Sequence, residues 1–159
     1  MIQRRIKKEI KMINDKFNLN LHLDCNDTNA NVNVFLKEIN KECVIKYNKD
    51  YPFNPCKIFL MIDNKEINYI DYFKMQHNKI LKYCNKNVLS LSCPCCFNLY
   101  CKWKVSNTSL NMLDEIIVKY KIYNTLETRL YAFMYLIKLF NEKYLKNIHN
   151  VILTIVKYI

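Results

Sequence analysis

Four cysteines fall within nine residues: Cys93, Cys95, Cys96 and Cys101, with a proline at position 94. Thiol groups this dense have three physical uses. A thiolate is a strong nucleophile and a good leaving group, so one of them can carry an acyl group as a thioester. Thiolates are also soft metal ligands. Cys93, Cys95 or Cys96, and Cys101, with Cys84 or His77, would make a four-ligand zinc set. The usual pair of C-x2-C knuckles is missing, since Cys93 and Cys96 form one and Cys101 stands apart. Third, free cysteine is a small hydrophobe that is often buried. Trp103 and Thr108 follow Cys95 by eight and thirteen residues. His22 and His149 have no ligand-spaced neighbours and read as surface or core residues.

The totals narrow these uses. A chain of 159 residues with 51% hydrophobic residues forms one domain with a packed core and needs no disulfides to hold it. The opening residues MIQRRIKKEIKMI place charge where a secretory leader needs an apolar block. No stretch approaches about 18 uncharged apolar residues, so no membrane span is expected. An intracellular chain with reduced thiols, in the cytoplasm or also the nucleus, is therefore expected. The net charge of +11 favours an acidic partner. That charge is spread along the chain, without an Arg-Gly run, a basic-aromatic alternation or a zinc-finger His pair, so nucleic acid is the weaker expectation. Glycine is absent while Asn, Lys, Ile and Tyr abound, a bias of AT-rich coding that accounts for part of the charge.

Periodicity places the elements. Ile2, Ile6, Ile10, Ile13 and Phe17 form one stripe at helical spacing, with Arg4, Arg5, Lys7, Lys8 and Lys11 on the other faces. Alternation then predicts strands over 19–25, 32–36, 43–47 and 58–62, joined by short connections and therefore antiparallel. Ile67, Ile70, Phe73, His77, Ile80, Leu81 and Cys84 predict a helix over roughly 66–83. Leu110, Leu113, Ile116, Ile117 and Tyr120 mark another. Asn124 followed by Glu127 has the form of a capping box that opens a further apolar helix. Tyr144, Ile148, Ile152 and Ile155 mark a last one. The fold class is α+β: an N-terminal helix, a four-stranded antiparallel meander, a cysteine-bearing segment and C-terminal helices, in a single domain over 1–159.

Two motifs make the pattern specific. Asp50-Tyr51-Pro52-Phe53-Asn54-Pro55-Cys56-Lys57-Ile58 resembles the segment DYPFKPPKV of ubiquitin-conjugating enzymes. Its prolines fix the backbone entering a strand where no ladder donor is needed. The spacing Cys95, Trp103, Thr108, followed by a helix, resembles the active-site segment of the same family, and the basic opening helix resembles its first helix. The resemblance spans about 1–60 and 93–159 and implies the UBC-like fold, with residues 63–84 as an insertion.

It further implies thioester transfer without a cofactor or resident metal. The nucleophile would be Cys95 or Cys93, with Cys96 and Cys101 as lesser alternatives. The family's His-Pro-Asn motif is absent; Asn87, eight residues before Cys95, stands nearest the position of its asparagine. Such an amide would serve as a donor to the tetrahedral oxyanion. Phe53 and Val105, with Lys104 and Ser106, match the loops that face a ubiquitin ligase. Arg4, Arg5 and Lys8, with Lys7 and Lys11, match the face that meets the activating enzyme. The implied partners are ubiquitin or a ubiquitin-like protein, its activating enzyme and a ligase. An inactive variant of the same fold, and a basic zinc-bearing nucleic-acid-binding domain, are the alternative expectations.

Overall fold

The computed structural model describes residues 2–21, 30–83 and 98–139. Its elements are helix α1 (Ile2–Phe17), strand β1 (Ala30–Leu36), a 3-10 turn (Lys37–Ile39), β2 (Lys41–Tyr47), β3 (Lys57–Ile62), β4 (Lys65–Asn68), helix α2 (Tyr69–Tyr83) and helix α3 (Ser109–Leu139). The strands form one antiparallel sheet in the order β1-β2-β3-β4.

One face of that sheet is dry. Val32, Val34 and Leu36 of β1, Cys43, Ile45 and Tyr47 of β2, and Ile58 and Leu60 of β3 alternate inward as period two requires. They share one core with Ile6, Ile10, Ile13 and Phe17 of α1 and with Met112, Leu113 and Ile116 of α3. The α1 stripe is therefore as expected, except that Ile2 at its start is exposed.

A chain without glycine must place other residues where the backbone turns left-handed. Asn18, Asn40, Asp63 and Asn64 all have positive φ. Their short polar side chains tolerate that region better than other non-glycine residues. Asn18 ends α1, where the Leu19 amide reaches back to the Asn14 carbonyl at 3.1 Å in the manner of a Schellman cap. Asp63-Asn64 is a two-residue hairpin turn between β3 and β4, with Ile62 opposite Lys65.

Three expectations are corrected. Of the strand predicted over 19–25, residues 19–21 belong to no strand. Asn14 lies between: its amide donates to the Leu21 carbonyl at 3.1 Å and its side-chain oxygen accepts from the Leu21 amide at 3.0 Å, which ties 19–21 to the end of α1. Leu23 and Cys25 lie outside the described residues. The fourth strand of the sheet is instead Lys65–Asn68, so the helix predicted from 66 begins at Tyr69. Asn68 is its cap, with its side-chain oxygen accepting from the Ile70 amide at 3.0 Å. The stretch expected as an insertion thus supplies β4 and α2, and Tyr69, Phe73 and Ile80 of α2 lie in the common core.

The third correction concerns Asn124. It lies inside α3, which runs unbroken for 31 residues. The hydroxyls of Thr125 and Thr128 bond back to the carbonyls of Lys121 and Asn124 at 2.8 and 2.9 Å, and Tyr123 stacks on Phe73 of α2. With no proline or glycine to interrupt it, packing against α2 carries the helix past a local stop signal. The predicted helix around 144–155 lies outside the described residues.

Urea unfolding separates the two caps. Thr108→Ala, at the observed start of α3, is expected to lose about 1 kcal/mol. Asn124→Ala is expected to be neutral or slightly stabilising, within about 0.5 kcal/mol, because alanine is the better mid-helix residue. A larger loss at Asn124 than at Thr108 would mean that α3 is two helices.

Candidate functional site

The β2–β3 connection is built to be rigid. Asn48 accepts from the Asp50 amide through its side chain at 2.9 Å and donates to the Pro55 carbonyl at 3.2 Å. The amides of Phe53 and Asn54 both return to the Asp50 carbonyl, at 2.8 and 3.0 Å. The Tyr51–Pro52 peptide is cis. Tyr51 is fully buried at this bend while Phe53, two residues on, is 77% exposed.

The segment 98–108 meets the same bend. Trp103 donates its indole N–H to the Pro52 carbonyl at 2.8 Å, and its ring lies 5.9 Å from that of Tyr51. A turn follows, closed by the Asn107 amide on the Lys104 carbonyl at 2.8 Å, with Val105 46% exposed at its corner. Thr108 and Asn111 then cap α3 reciprocally: the Asn111 amide donates to Thr108 Oγ1 at 3.2 Å, and the Thr108 amide donates to Asn111 Oδ1 at 2.9 Å. The two sequence motifs are therefore adjacent in space, and each leaves one apolar side chain in solvent.

Beneath them lies a buried carboxylate. Glu9 of α1 is 2% exposed. Its Oε1 accepts from Arg5 Nε at 2.8 Å. Its Oε2 accepts from the Tyr51 hydroxyl at 2.5 Å, from the Ser109 amide at 2.9 Å and from the Ser109 hydroxyl at 2.7 Å. The Tyr47 hydroxyl completes the chain by bonding Ser109 Oγ at 2.7 Å. The carboxylate sits at the N-terminus of α3, where unpaired amides and the helix dipole favour negative charge. Arg5 also donates from Nη2 to the Asn107 carbonyl at 2.8 Å. Its hydrogen bond to Glu9 is the main reason that its pKa is raised. Burial, followed by the bond to Glu9, raises that of Tyr51.

The expected partner-facing cations separate into two kinds. Arg4, Lys7, Lys8 and Lys11 are exposed, and none of the ion pairs among the described residues involves them. Four other lysines do form ion pairs between elements or along a helix: Lys16 with Asp114, Lys46 with Glu66, Lys79 with Glu127 and Lys119 with Glu115. Arg5, expected on the same face, is turned inward to Glu9 and Asn107.

Cys93, Cys95, Cys96, Cys84 and Asn87 lie outside the described residues. Of the cysteines described, Cys43 and Cys56 are fully buried and Cys101 is exposed. Burial pushes the Cys43 thiol up to about 12 and the Cys56 thiol upward as well. Cys56 points at Met112, with sulfur atoms 3.7 Å apart. Cys101 stands at a turn where its amide donates to Asn98 Oδ1 at 2.7 Å. His77, from the alternative zinc set, lies 3.3 Å through Nδ1 from the Tyr123 hydroxyl. An open groove of about 660 Å³ lies between this turn and the outer side of α3, lined by Leu99, Glu115, Val118 and Ile122 among others. The Leu99 amide donates to Glu115 Oε2 at 2.9 Å along it.

Sequence reasoning missed Glu9, Ser109 and Tyr47. A signal existed for the first: Glu9 is the single acid in residues 1–14, and it stands beside Ile10 in the apolar stripe.

Two measurements test this arrangement. Glu9→Gln removes the charge that three elements address, and urea unfolding is expected to show a loss of about 2–4 kcal/mol; a change under about 0.5 kcal/mol would mean that the carboxylate is solvated. Brief iodoacetamide treatment of the native protein, followed by peptide mass spectrometry, is expected to label Cys101 and to spare Cys43 and Cys56 until denaturant is added. Equal native labelling of Cys56 and Cys101 would refute the burial.

Compared with known protein families, with curated proteins and with solved structures, the chain matches none.

Proposed function

We propose that the protein is a divergent ubiquitin-conjugating enzyme with the UBC-like fold. It would accept ubiquitin or a ubiquitin-like protein from an activating enzyme as a thioester on Cys95 or Cys93, and pass it to a lysine or to a ligase. The observation that carries this reading is the hydrogen bond from Trp103 to the Pro52 carbonyl at 2.8 Å. It joins the two segments on which the resemblance rests, although 51 residues separate them in the chain. Further support comes from Thr108, which caps α3 at the position where the family's threonine precedes its helix.

The surface agrees with the partners implied. Phe53 and Val105 are exposed on two joined loops, and exposed aromatic and aliphatic side chains are suitable anchors for another protein. Arg4, Lys7, Lys8 and Lys11 form an unmatched basic face on α1, which suits an acidic surface on an activating enzyme and would speed encounter with it. No described helix is long and apolar enough to cross a membrane.

In the transfer itself, the cysteine thiolate attacks the incoming thioester carbonyl and the activating enzyme's thiol leaves. An amine or a second thiolate then attacks the new thioester, and the conjugating enzyme's thiol departs. The absent His-Pro-Asn motif favours a second reading, an inactive variant that binds ubiquitin or a ligase without transfer. The buried thiols of Cys43 and Cys56 take no part in either reading.

A thioester assay decides. The protein is mixed with ubiquitin, activating enzyme and ATP, and run on a non-reducing gel beside single serine replacements of Cys93, Cys95, Cys96 and Cys101. The expected result is a tag-sized shift that reductant removes. Replacing the nucleophile, Cys95 or Cys93, should abolish the shift or make it resistant to reductant. No shift with an activating enzyme from the proper source would sink the transferase and leave the binding variant.

A further inference from the structure

Arg5 differs from its neighbours in what it touches. The guanidinium fork spends Nε on Glu9 and Nη2 on the carbonyl of Asn107, and its carbon lies 6.0 Å from the Tyr51 ring centre. Asn107 closes the turn that bears Val105. Glu9 in turn receives the hydroxyl of Tyr51, two residues before Phe53. A single side-chain pair on α1 therefore holds the bases of both loops, and Trp103 fastens their facing edges through Pro52.

We infer that Arg5 is a positioning residue: it holds the 104–107 turn against the 50–54 bend so that Phe53 and Val105 are presented as one surface. This rests on the reading of those two side chains as the partner-facing pair. It assigns Arg5 a different task from Arg4 and Lys8, which act through their charge from solvent. The distinction is chemical. A planar guanidinium donates in two fixed directions at once, to a carboxylate and to a carbonyl, while an ammonium is a single point of charge. Arg5→Lys keeps the charge and loses the fork, so it separates positioning from simple attraction.

The experiment uses the whole chain without a partner. Trp103 is the sole tryptophan, so one indole N–H signal in a proton–nitrogen spectrum reports the junction. In Arg5→Lys its exchange with solvent is expected to quicken about tenfold, the scale of losing one charge-assisted hydrogen bond. The amides of Ile45 and Ile58 in the core should stay within about twofold of their original rates. Arg4→Ala and Lys8→Ala should leave the indole unchanged. An unchanged indole in Arg5→Lys would overturn the proposal. So would an equal loss of protection at Ile45 and Ile58, which would make the effect general destabilisation. Because no ubiquitin or ligase is present, failure here is distinct from failure of the thioester assay.

Discussion

The constraint on which the rest depends is the burial of one negative charge. A carboxylate taken out of water costs several kcal/mol unless donors replace the solvent. Glu9 has four: the Arg5 guanidinium, the Tyr51 hydroxyl, and the amide and hydroxyl of Ser109. They come from α1 itself, from the β2–β3 bend and from the first residue of α3. Apolar packing sets these elements side by side without fixing their register, since hydrophobic contact is not directional. Four hydrogen bonds on one small group are directional. The network also accounts for two tyrosines in the core, because Tyr47 and Tyr51 each bring a hydroxyl that must be paired when buried.

Much of the fold was legible because its elements carry clean periods. The α1 stripe from Ile6 onward and the alternation in β1 and β2 bury the residues that their spacing marked, and the apolar run of β3 buries Ile58 and Leu60. The misreadings share a cause: a local signal met a tertiary contact. Asn14 captures Leu21 and draws 19–21 to the end of α1. Asn124 resembles a cap, yet Tyr123 beside it stacks on Phe73 and hydrogen-bonds toward His77, so α3 continues. Strand β4 is only four residues long and half-buried, too short to show a period of its own. Asp63-Asn64 before it is a hairpin signal, in a chain where asparagine and aspartate do the work elsewhere given to glycine.

The candidate site was legible as two motifs and illegible as a network. Phe53 and Val105 could be named because each sits in a recognisable segment. Their joining through Trp103 and Pro52 could not be read from spacing, since 51 residues intervene. Arg5 was grouped with the exposed cations for the plain reason that it is a cation on a basic helix. What sets it apart is its angular position: it lies four residues before Glu9, so the two side chains meet on one helix face. Arg4 and Lys8 are exposed, as a cation on a basic helix is expected to be, and helix geometry was the missing term for Arg5.

Two kinds of electrostatic interaction therefore share α1, and their magnitudes separate their tasks. The exposed cations act across water, where a single pair is worth at most about 1 kcal/mol and salt weakens it. Such charges suit encounters that must be fast and reversible. In the Arg5–Glu9 pair the carboxylate is buried and joined by further donors while the Arg5 side chain is 29% exposed, so breaking it leaves a buried charge short of one donor. On the proposed reading, a helix that offers a charged surface to one partner and holds two loops in place for another uses both regimes. The 3.6-residue repeat provides them within a single stretch of seven residues from Arg5 to Lys11, by turning Arg5 and Glu9 inward while Lys7, Lys8 and Lys11 face out.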